Sequence, residues 1–536
     1  MGVSQLNREA GESPERSRHA IFFGLCYPVR LLSQRSDFLV QEAGSKKQEA
    51  RGKQEKMGQG TGPLSHWGRM IALRTPGLVI AGTHSGVGKT TLTMGIMQVL
   101  ATSMSVQPFK VGPDYIDPAF HSLITGRICR NLDGWMLKED TLRYLYSRSG
   151  QDADINIVEG VMGLFDGAGT ARDQGSTAHV AKLLGTPVVL VIDGSGMSAS
   201  AAALVLGYLR YDPDVDLCAV IINNVKGEKH YQLLKQAVER DTGVKVAGYL
   251  PGQQAVELSS RHLGLVPSSE IPGLRQKLEQ LGDLVRATVD LPLLLKLAER
   301  RRPVFVSRPP SFKPVGSMRI AVARDRAFNF YYEDGLQLLA ELGAELNYFS
   351  PLEAQHLPPG CSGLYLGGGF PEVFARELAE NVTLKGEIKT AIDGGLPVYG
   401  ECGGLMYLSE GIINSEGDCY PMVGAFNTKI EMTGRLQRFG YVEVELQQDN
   451  ILGKKGGKIR AHEFHYSTLA EDKKENFSLL VKKSQDGRFI RAWGCGIKRY
   501  NMLASYPHLH FYSNPEMAVS FLRHCMDYQK ENIYHV

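Results

Sequence analysis

The strongest constraint on the fold is a glycine-rich segment that joins an apolar run to a helical one. Residues 82–91 read GTHSGVGKTT, after the apolar run GLVIA and before LTMGIMQVLA. Small residues at such a junction let backbone N–H groups approach phosphate oxygens at the start of a helix. The segment therefore predicts a nucleotide-binding α/β domain, with this loop at the carboxyl end of a buried parallel strand.

The polar side chains of this loop add to the chemistry of its backbone. Lys89 supplies a cation for phosphate, and the hydroxyl of Thr90 is a ligand that Mg²⁺ accepts. Thr83 stands where the usual spacing puts a glycine, so the loop is one residue longer than the common form and resembles that of dethiobiotin synthetases. A plain glycine turn is the alternative, which the GKTT ending disfavours. The residues predicted to hold the nucleotide are Gly82, Thr83, Gly86, Gly88, Lys89, Thr90 and Thr91.

Carboxylates at the ends of neighbouring strands are expected to complete a magnesium site. Glu159 ends the apolar run INIVE, whereas Lys110 and Asp114 lie in FKVGPDYIDP, where two prolines favour a turn. We therefore predict that Thr90, Asp114 and Glu159 surround Mg²⁺, with Lys110 beside the nucleotide. Either carboxylate taken alone is equally compatible with a solvated turn or a helix cap.

Apolar runs alternate with helical periodicity in two blocks, which predicts an α/β fold with two doubly wound domains. The stretch RRPVFVSRPPSFKPVGS breaks both periodicities and reads as a linker. Residues 44–62 are polar and glycine-rich, and Met57 and Met70 offer alternative starts downstream. We expect a disordered extension over 1–70, an ATP-binding domain over 77–300, the linker over 301–317 and a second domain over 318–530.

Composition excludes several classes of function. The 60 Lys and Arg nearly balance the 57 Asp and Glu over 536 residues, so no electrostatic footprint for nucleic acid is present. No apolar run reaches the roughly 18 residues that a membrane-spanning helix needs. The eight cysteines form no CxxC pair, which disfavours a zinc site or a disulfide framework. We expect a cytoplasmic enzyme with small-molecule substrates.

A cysteine in the second block has the surroundings of a nucleophile. Cys402 lies in LPVYGECGGLMY, between an apolar run and a helical one, with glycines on both sides. Such a strand-to-helix elbow exposes the sulfur and places it at a helix N-terminus, which favours the thiolate. A lone cysteine is usually a small buried apolar residue, and the other seven lack this context. We therefore predict Cys402 as the nucleophile.

The partners of this cysteine are expected in two further segments. His508, in SYPHLHF, is predicted as the general base. The glutamate that commonly follows the base by two residues in class I glutamine amidotransferases is here His510, so the third member of a triad stays open. Backbone N–H groups of Gly368, Gly369 and Gly403 are predicted to form the oxyanion hole. Ordinary packing of the two histidines is the alternative without Cys402. Glu463 and His465, in HEFHYS, are expected to shape a glutamine pocket or the domain interface.

The motifs together resemble the cobyrinic acid a,c-diamide synthase family, in order and over nearly the whole chain from Gly77. They are GTHSGVGKTT, FKVGPDYIDPAFH, NLDGWML, EGVMGLFDG, SSRHLGLV, ARDRAFNFYYEDGL, YLGGGFPE, GECGGLMYL, RFGYVEVE, HEFHYS and ASYPHLHF. The resemblance implies a P-loop synthetase domain followed by a flavodoxin-like glutamine amidotransferase domain. It also implies that Asp114 and Glu159 match metal-site positions, that Asn223 reads adenine, and that Tyr115, Asp117 and His121 line the tetrapyrrole side.

The implied activity is ATP-dependent amidation of the a and c carboxylates of cobyrinic acid, with ammonia from glutamine and with Mg²⁺. Amidation of Ni-sirohydrochlorin is an alternative that the motifs separate poorly. A ParA/MinD-like ATPase switch with an inactive amidotransferase module is a third reading, which Cys402 and His508 disfavour. CTP synthase combines similar domains, but FKVGPDYIDP and the HLH ending argue against it. Whether the chain is a monomer or a homodimer stays open.

Overall fold

The structure is a computed structural model that describes residues 71–73, 75–252, 273–306, 312–470 and 477–533. The predicted N-terminal extension, residues 1–70, and the motif SSRHLGLV at 259–266 lie outside these described residues. Both α/β halves belong to one compact unit of the chain.

The N-terminal half is built on a seven-stranded sheet in which all neighbouring strands run parallel. The strands of this half are β1 (Ile71–Leu73), β2 (Gly77–Gly82), β3 (Val106–Val111), β4 (Arg130–Leu132), β5 (Ile155–Glu159), β6 (Val188–Asp193), β7 (Leu217–Val225), β8 (Lys245–Pro251) and β9 (Val304–Val306). The sheet order is β4-β3-β5-β2-β6-β7-β8, so the chain winds to one side of β2 and then to the other. Ligands of open α/β sheets bind at such a switch point, which here is the end of β2.

Helices cover both faces of this sheet. They are α1 (Lys89–Leu100), α2 (Ile116–Thr125), α3 (Glu139–Gly150), α4 (Thr177–Leu184), α5 (Ser200–Tyr211), α6 (Glu228–Thr242), α7 (Leu274–Thr288) and α8 (Leu291–Ala298). Helices α1 and α7 approach closely, because a Cβ added to Gly95 would lie 2.5 Å from Cγ2 of Val285. Each fully buried aliphatic side chain of this core stabilises the fold by about 1.5–3 kcal/mol.

The short strands β1 and β9 form a separate antiparallel pair, with Ala72 opposite Phe305. The predicted linker therefore opens with a strand that pairs with the residues before 77. Residues 307–311 of that linker lie outside the described part of the chain.

The main sheet of the C-terminal half has the order β11-β10-β12-β13-β23-β22. The strands of this half are β10 (Met318–Ala323), β11 (Ala344–Phe349), β12 (Gly363–Leu366), β13 (Val398–Glu401), β14 (Gly411–Ile413), β15 (Cys419–Pro421), β16 (Lys429–Met432), β17 (Arg438–Leu446), β18 (Lys458–His465), β19 (Ser467–Leu469), β20 (Leu479–Gln485), β21 (Arg488–Cys495), β22 (Ile497–Arg499), β23 (Met502–Ser505) and β24 (His508–Leu509). Its neighbouring strands pair parallel, except for β22, which is antiparallel to β23. The predicted parallel α/β architecture is thus confirmed for this half as well.

Helices pack on this second parallel sheet as they do on the first. They are α9 (Glu333–Glu341), α10 (Ala375–Glu380), α11 (Val382–Asp393), α12 (Gly403–Leu408) and α13 (Pro515–Ile533). Within the described ranges, no helix is both long enough and apolar enough to cross a membrane.

Two further sheets, which the sequence did not predict, extend this half. One is antiparallel, with the order β21-β20-β17-β18-β24. The other is mixed, with the order β15-β14-β16-β19. The antiparallel sheet matters for the site, because its edge strand β24 begins at His508 and its strands β17 and β18 lie beside the N-terminal half.

Polar contacts join the two halves directly. The hydroxyl of Tyr441 donates to Oδ2 of Asp133 at 2.8 Å. Nη1 of Arg130 donates to Oδ1 of Asp334 at 3.2 Å. Burial raises the pKa of Asp334 to about 6, against the opposing effect of Arg130. These contacts hold the carboxyl ends of the two parallel sheets toward one shared space.

Candidate active site

The glycine-rich loop lies at the switch point of the first sheet and leads into α1. Gly86 and Gly88 have φ values of 83° and 99°, in the region that favours glycine. The Lys89 side chain is buried, and its Nζ donates to the carbonyl of His84 at 3.0 Å. Burial, and after it the nearby Lys110, lowers the pKa of Lys89. The loop thus holds its cation against its own backbone, where the oxygen of a bound phosphate can replace the carbonyl.

Asn223, in β7, braces this loop. Its Nδ2 donates to the carbonyl of Val87 at 2.9 Å. A Cβ added to Gly88 would lie 2.3 Å from the same nitrogen, so a side chain there would displace Asn223. The hydroxyl of Tyr208 donates to the carbonyl of Thr83 at 2.8 Å and fixes the start of the loop. The structure brings Asn223 to the nucleotide loop, and its reading of adenine stays a prediction.

Five polar side chains meet behind the loop. The hydroxyl of Thr90 donates to Glu159 Oε1 at 2.6 Å and lies 3.3 Å from Asp117 Oδ2. Nζ of Lys110 donates to the same two oxygens, at 2.8 Å and 2.5 Å respectively. Nε2 of His121 lies 2.5 Å from the second oxygen of Glu159. The predicted residues Thr90, Lys110 and Glu159 are therefore in direct contact, and Asp117 joins them.

The charges in this cluster are strongly interdependent. Burial opposes a charge on Lys110, but Glu159 and Asp117 hold the pKa of this lysine well above its usual value. In turn, Lys110 and His121 outweigh burial and hold the pKa of Glu159 below its usual range. Burial, together with Asp114 and Glu159, raises the pKa of Asp117 well above the ordinary value. Lys110 and Glu159 thus form a stable ion pair, whereas the charge of Asp117 is poorly stabilised until another cation arrives.

Asp114 lies at the edge of this cluster. Its Oδ1 accepts the N–H of Ile116 at 2.8 Å, and its Oδ2 is 3.5 Å from Lys110 Nζ. The hydroxyl of Thr90 contacts Asp117 rather than the predicted partner Asp114. Among the residues that the structure describes, no group of three or more His, Cys, Asp or Glu forms a metal site by itself. A nucleotide-linked Mg²⁺ does not require one, because it commonly takes one or two carboxylates and completes its shell with phosphate oxygens and water.

Cys402 stands at a sharp turn between β13 and α12. Its φ of 48° and ψ of −98° are strained for a residue with a side chain, as at nucleophile elbows. Its N–H donates to the carbonyl of Ser505 on the neighbouring strand at 2.8 Å. Gly404 permits the tight turn, because a Cβ there would lie 2.1 Å from the carbonyl oxygen of Leu366.

His508 reaches this cysteine from β24. The imidazole is buried, lines the same cavity as Cys402 and is close enough to the thiol for Cys402 to raise its pKa. Its Nδ1 lies 2.9 Å from Oε1 of Glu401, the residue directly before the cysteine. Burial lowers the pKa of His508, but Cys402 and Glu401 outweigh it and raise that pKa to about 10. The three side chains have the arrangement of a nucleophile, a base and an orienting acid.

Glu401 is the functional residue that the sequence reasoning missed. Its Oε2 accepts the hydroxyl of Tyr399 at 2.9 Å and the N–H of Leu509 at 3.1 Å, so the carboxylate is fixed. The available signal was an acidic residue at the end of the apolar strand VYGE. His510 is not the third member, because its Nδ1 accepts the N–H of Tyr512 at 3.3 Å and burial lowers its pKa to about 3.

The predicted oxyanion donors separate into two kinds. The N–H of Gly368 is already engaged, because it donates to the carbonyl of Phe330 at 3.3 Å. In the described part of the chain, the N–H groups of Gly369 and Gly403 have no backbone acceptor. The nitrogen of Gly369 lies 3.1 Å from the place where a Cβ of Gly403 would be, so these two donors are neighbours. Gly368 instead packs against His508, since its own Cβ would lie 2.5 Å from Cε1 of the imidazole.

One cavity of about 580 Å³ connects the two halves. The amidotransferase half contributes Cys402 and His508 to its wall, and the synthetase half contributes Asp114, Tyr115 and other residues. One continuous cavity therefore lies between the thiol and the nucleotide side.

Comparison with known proteins agrees with this two-part arrangement. Residues 78–266 match a family model described as the CobQ/CobB/MinD/ParA nucleotide binding domain. Residues 319–516 match a model described as the CobB/CobQ-like glutamine amidotransferase domain. The predicted order of a nucleotide-binding domain and an amidotransferase domain is confirmed.

Relatives extend the match over most of the chain. The cobyrinate a,c-diamide synthase of Caldanaerobacter subterraneus is 48% identical over 453 residues, which cover 84% of this chain and 99% of that protein. The chain belongs to the cobyrinate a,c-diamide synthase family. Two other relatives with this name are each 46% identical to this chain. The match to the protein of Listeria innocua covers 82% of this chain and 98% of that protein. The match to the protein of Streptococcus sanguinis covers 84% of this chain and 99% of that protein.

Of the three residues expected to line the tetrapyrrole side in this family, the structure places only Tyr115 on the cavity wall. Its ring stacks on that of Phe330 with centroids 4.9 Å apart and lies 5.3 Å from the His508 ring. Asp117 is held in the cluster behind the loop, and His121 is fully buried against Glu159. The burial of His121 argues against contact with a substrate. Its geometry suits a residue that fixes Glu159.

A second cavity, of about 270 Å³, lies in the amidotransferase half of this family member. Glu463 and His465 line it, and His465 also lines the larger cavity. Burial raises the pKa of Glu463 to about 7, against the opposing effects of Arg438 and Trp493. The expected contribution of these two residues to a glutamine pocket stays a prediction.

Proposed function

We propose that this chain is a glutamine-hydrolysing ligase that converts the a and c side-chain carboxylates of cobyrinic acid into amides in cobalamin biosynthesis. The observation that carries the proposal is the shared cavity, because a thiol-histidine pair and a nucleotide-site carboxylate line the same space. The names of the relatives agree with this substrate.

The synthetase half activates the carboxylate. A carboxylate oxygen attacks the γ-phosphorus of ATP, the bond to the β-γ bridging oxygen breaks, and an acyl phosphate and ADP result. Lys89 stabilises charge on the transferring group, and each such contact is commonly worth about 10²-fold or more in rate. The family's nucleotide site implies Mg²⁺, which Thr90 and Asp117 fit best, beside Glu159. When bound, the ion would neutralise phosphate charge, and it would also add a second cation beside Asp117, whose contact with Lys110 does not outweigh burial and the neighbouring carboxylates.

The amidotransferase half releases ammonia. The Cys402 thiolate attacks the amide carbon of glutamine, the carbonyl oxygen becomes an oxyanion, and the N–H groups of Gly369 and Gly403 are placed to receive it. Protonated His508 gives its proton to the departing amide nitrogen, which leaves as ammonia. Water, deprotonated by His508, then hydrolyses the thioester to glutamate, and Glu401 keeps the imidazole in orientation throughout.

Ammonia then attacks the acyl phosphate, which forms the amide and releases phosphate. The cavity gives ammonia a direct path from Cys402 to the synthetase side. The ring of Tyr115 lies beside that path, packed between Phe330 and Tyr332 at centroid distances of 4.9 Å. Two amides per macrocycle require two rounds of this cycle.

We further propose that the macrocycle lies against the antiparallel sheet. Phe439 and Phe464 are opposite each other on β17 and β18, are 54% and 46% exposed, and line the cavity. Tyr466, which is 43% exposed, continues the aromatic surface. Exposed aromatic clusters of this kind commonly mark ligand surfaces. Lys483 lines the same wall and can pair with a side-chain carboxylate of a polyanionic ring.

Mass spectrometry of the products tests the proposed function. The protein is incubated with Mg²⁺, ATP and glutamine, with cobyrinic acid and Ni-sirohydrochlorin in separate reactions. We expect two added amides on cobyrinic acid. If only Ni-sirohydrochlorin is amidated, the proposed mechanism is retained, but the substrate is Ni-sirohydrochlorin rather than cobyrinic acid. ATP turnover without any amide product would contradict the proposal and favour a nucleotide switch.

A further inference from the structure

Glu372 is a carboxylate on the wall of the cavity that contains Cys402. It belongs to the segment GGGFPE, directly after the oxyanion glycines. We infer that Glu372 binds the α-ammonium group of glutamine and so selects the amide donor. The inference rests on the proposed glutaminase function and assigns a substrate contact to that site.

The backbone around Glu372 packs closely against the turn that carries Cys402. Cδ of Pro371 lies 3.0 Å from the place where a Cβ of Gly403 would be. The N–H of Phe370 donates to the carbonyl of Ala327 at 3.0 Å, and that of Phe374 donates to the carbonyl of Pro371 at 3.2 Å. The position of Glu372 is thus fixed relative to the elbow by the same short loop that supplies the oxyanion donor.

Among the residues that the structure describes, no cation is paired with the carboxylate of Glu372. Within the described ranges, its carboxylate forms no ion pair and no side-chain hydrogen bond, although the side chain is only partly exposed. Burial raises the pKa of Glu372 to about 7; the residue's own backbone N–H opposes this effect, but no cation of the described ranges does. A partly dehydrated carboxylate is costly without a counter-charge, and a ligand that brings a cation removes that cost.

Only one substrate of the proposed reaction brings such a cation. ATP and a polycarboxylate macrocycle are anions, whereas glutamine carries an α-ammonium on its α-carbon, which two methylene groups separate from the reacting amide carbon. A carboxylate beside the thiol therefore attracts glutamine and repels the macrocycle. Lys483, on the aromatic wall of the same cavity, has the opposite preference. The negative charge of Glu372 thus favours glutamine near the thiol, and the positive charge of Lys483 favours the macrocycle at the aromatic wall.

The test compares glutamine with glutaramate, the same amide without the α-amino group. Wild-type protein is expected to prefer glutamine strongly in kcat/KM, because only glutamine can pair with Glu372. In Glu372→Gln, KM for glutamine is expected to rise roughly 30-fold or more, as for the loss of one partner of a dehydrated charge pair. The constants for glutaramate are expected to change little, so the preference collapses. Glu372→Asp, which keeps the charge, is expected to retain most of it.

Two controls separate this role from general damage. Amidation driven by ammonium chloride does not use the glutamine pocket, so Glu372→Gln is expected to support it at the wild-type rate. Glu377→Gln, an exposed glutamate on α10, is expected to leave all constants unchanged. An unchanged preference for glutamine in Glu372→Gln, or an equal loss with glutamine and glutaramate, would overturn the inference. If wild-type protein hydrolyses neither amide, the proposed function itself fails.

Discussion

Oε1 of Glu401 lies 2.9 Å from Nδ1 of His508, which links the residue before the nucleophile to the base that serves it. The two residues are far apart in sequence and meet because β13 and β23 pair in parallel, with Glu401 opposite Ser505. The carboxylate thus occupies the orienting position of a triad, although it comes from the elbow itself rather than from the segment after the histidine.

Glu401→Gln is therefore expected to impair glutamine hydrolysis. The amide cannot stabilise the imidazolium, and loss of the charge in comparable triads lowers kcat by up to about 10⁴-fold. Steady-state glutaminase rates measure the effect, with ammonium-driven amidation as the check on folding. His510→Asn, which keeps an acceptor for the Tyr512 N–H, is the contrasting variant and is expected to stay within a few-fold of wild type. A larger loss of kcat in His510→Asn than in Glu401→Gln would contradict the assignment.

Local sequence was sufficient to predict the parts of the site that lie within one turn. The loop around Lys89 and the elbow around Cys402 are each built by consecutive residues, so spacing alone indicates their geometry. The contact of Thr90 with Asp117 depends instead on how α2 leaves β3, and the choice between Asp114 and Asp117 is not encoded in spacing. Contacts that depend on the pairing of strands distant in sequence could not be predicted from local spacing.

The antiparallel sheet illustrates the same limit on a larger scale. Strand β17 alternates regularly between apolar and polar residues only over residues 442–446, and Phe439 near its start is about half exposed, as is Phe464 near the end of β18. Period-two alternation is the main signal of a strand with one buried face, and a ligand surface disrupts it. The exposed aromatic surface therefore weakens the sequence signal at the start of β17 and at the end of β18.

Lys89→Ala is expected to abolish amide synthesis with either nitrogen source, because no other side chain of the loop supplies a cation to the phosphates. The predicted loss is at least about 10²-fold in ATP-dependent product formation. Glutamine hydrolysis is expected to persist in part, since Cys402 and His508 lie in the other half. Lys229→Ala, at an exposed position on α6, is the matched control. Full ATP-dependent amidation by Lys89→Ala would refute the role of the loop.

The raised pKa of Glu372, about 7, predicts a pH dependence of glutamine binding. Below pH 7 the carboxylate takes up a proton and loses the charge that attracts the α-ammonium, so KM for glutamine is expected to rise as pH falls from 8 to 6. Above pH 7 the group is ionised and the pairing is complete. KM measured across this range with Glu372→Gln is expected to be flat. A parallel rise of KM in both proteins would assign the titration to another group.

Phe464→Ala tests the placement of the macrocycle. Loss of one aromatic face that contacts a flat ring is expected to weaken binding by about 1–2 kcal/mol, which corresponds to a rise of roughly 5- to 30-fold in KM for cobyrinic acid. KM for ATP and for glutamine is expected to stay constant. Phe489→Ala provides the control, because Phe489 is 65% exposed on the same sheet and does not line the cavity. Equal effects of the two substitutions would remove the support for this wall as the binding surface.

Gly368→Ala is expected to displace His508 from Cys402, although neither of these two residues is substituted. The added Cβ would lie 2.5 Å from Cε1 of His508, so the imidazole must move, and its distances to Cys402 and Glu401 increase. A displacement of this kind can cost about 10²-fold in rate. Glutaminase kcat is expected to fall while ammonium-driven synthesis continues. Gly386→Ala, on α11 with open space around the new Cβ, is expected to be neutral or slightly stabilising. Retention of wild-type glutaminase activity by Gly368→Ala would mean that the imidazole of His508 can accommodate the added Cβ, which would contradict the close packing of Gly368 against His508.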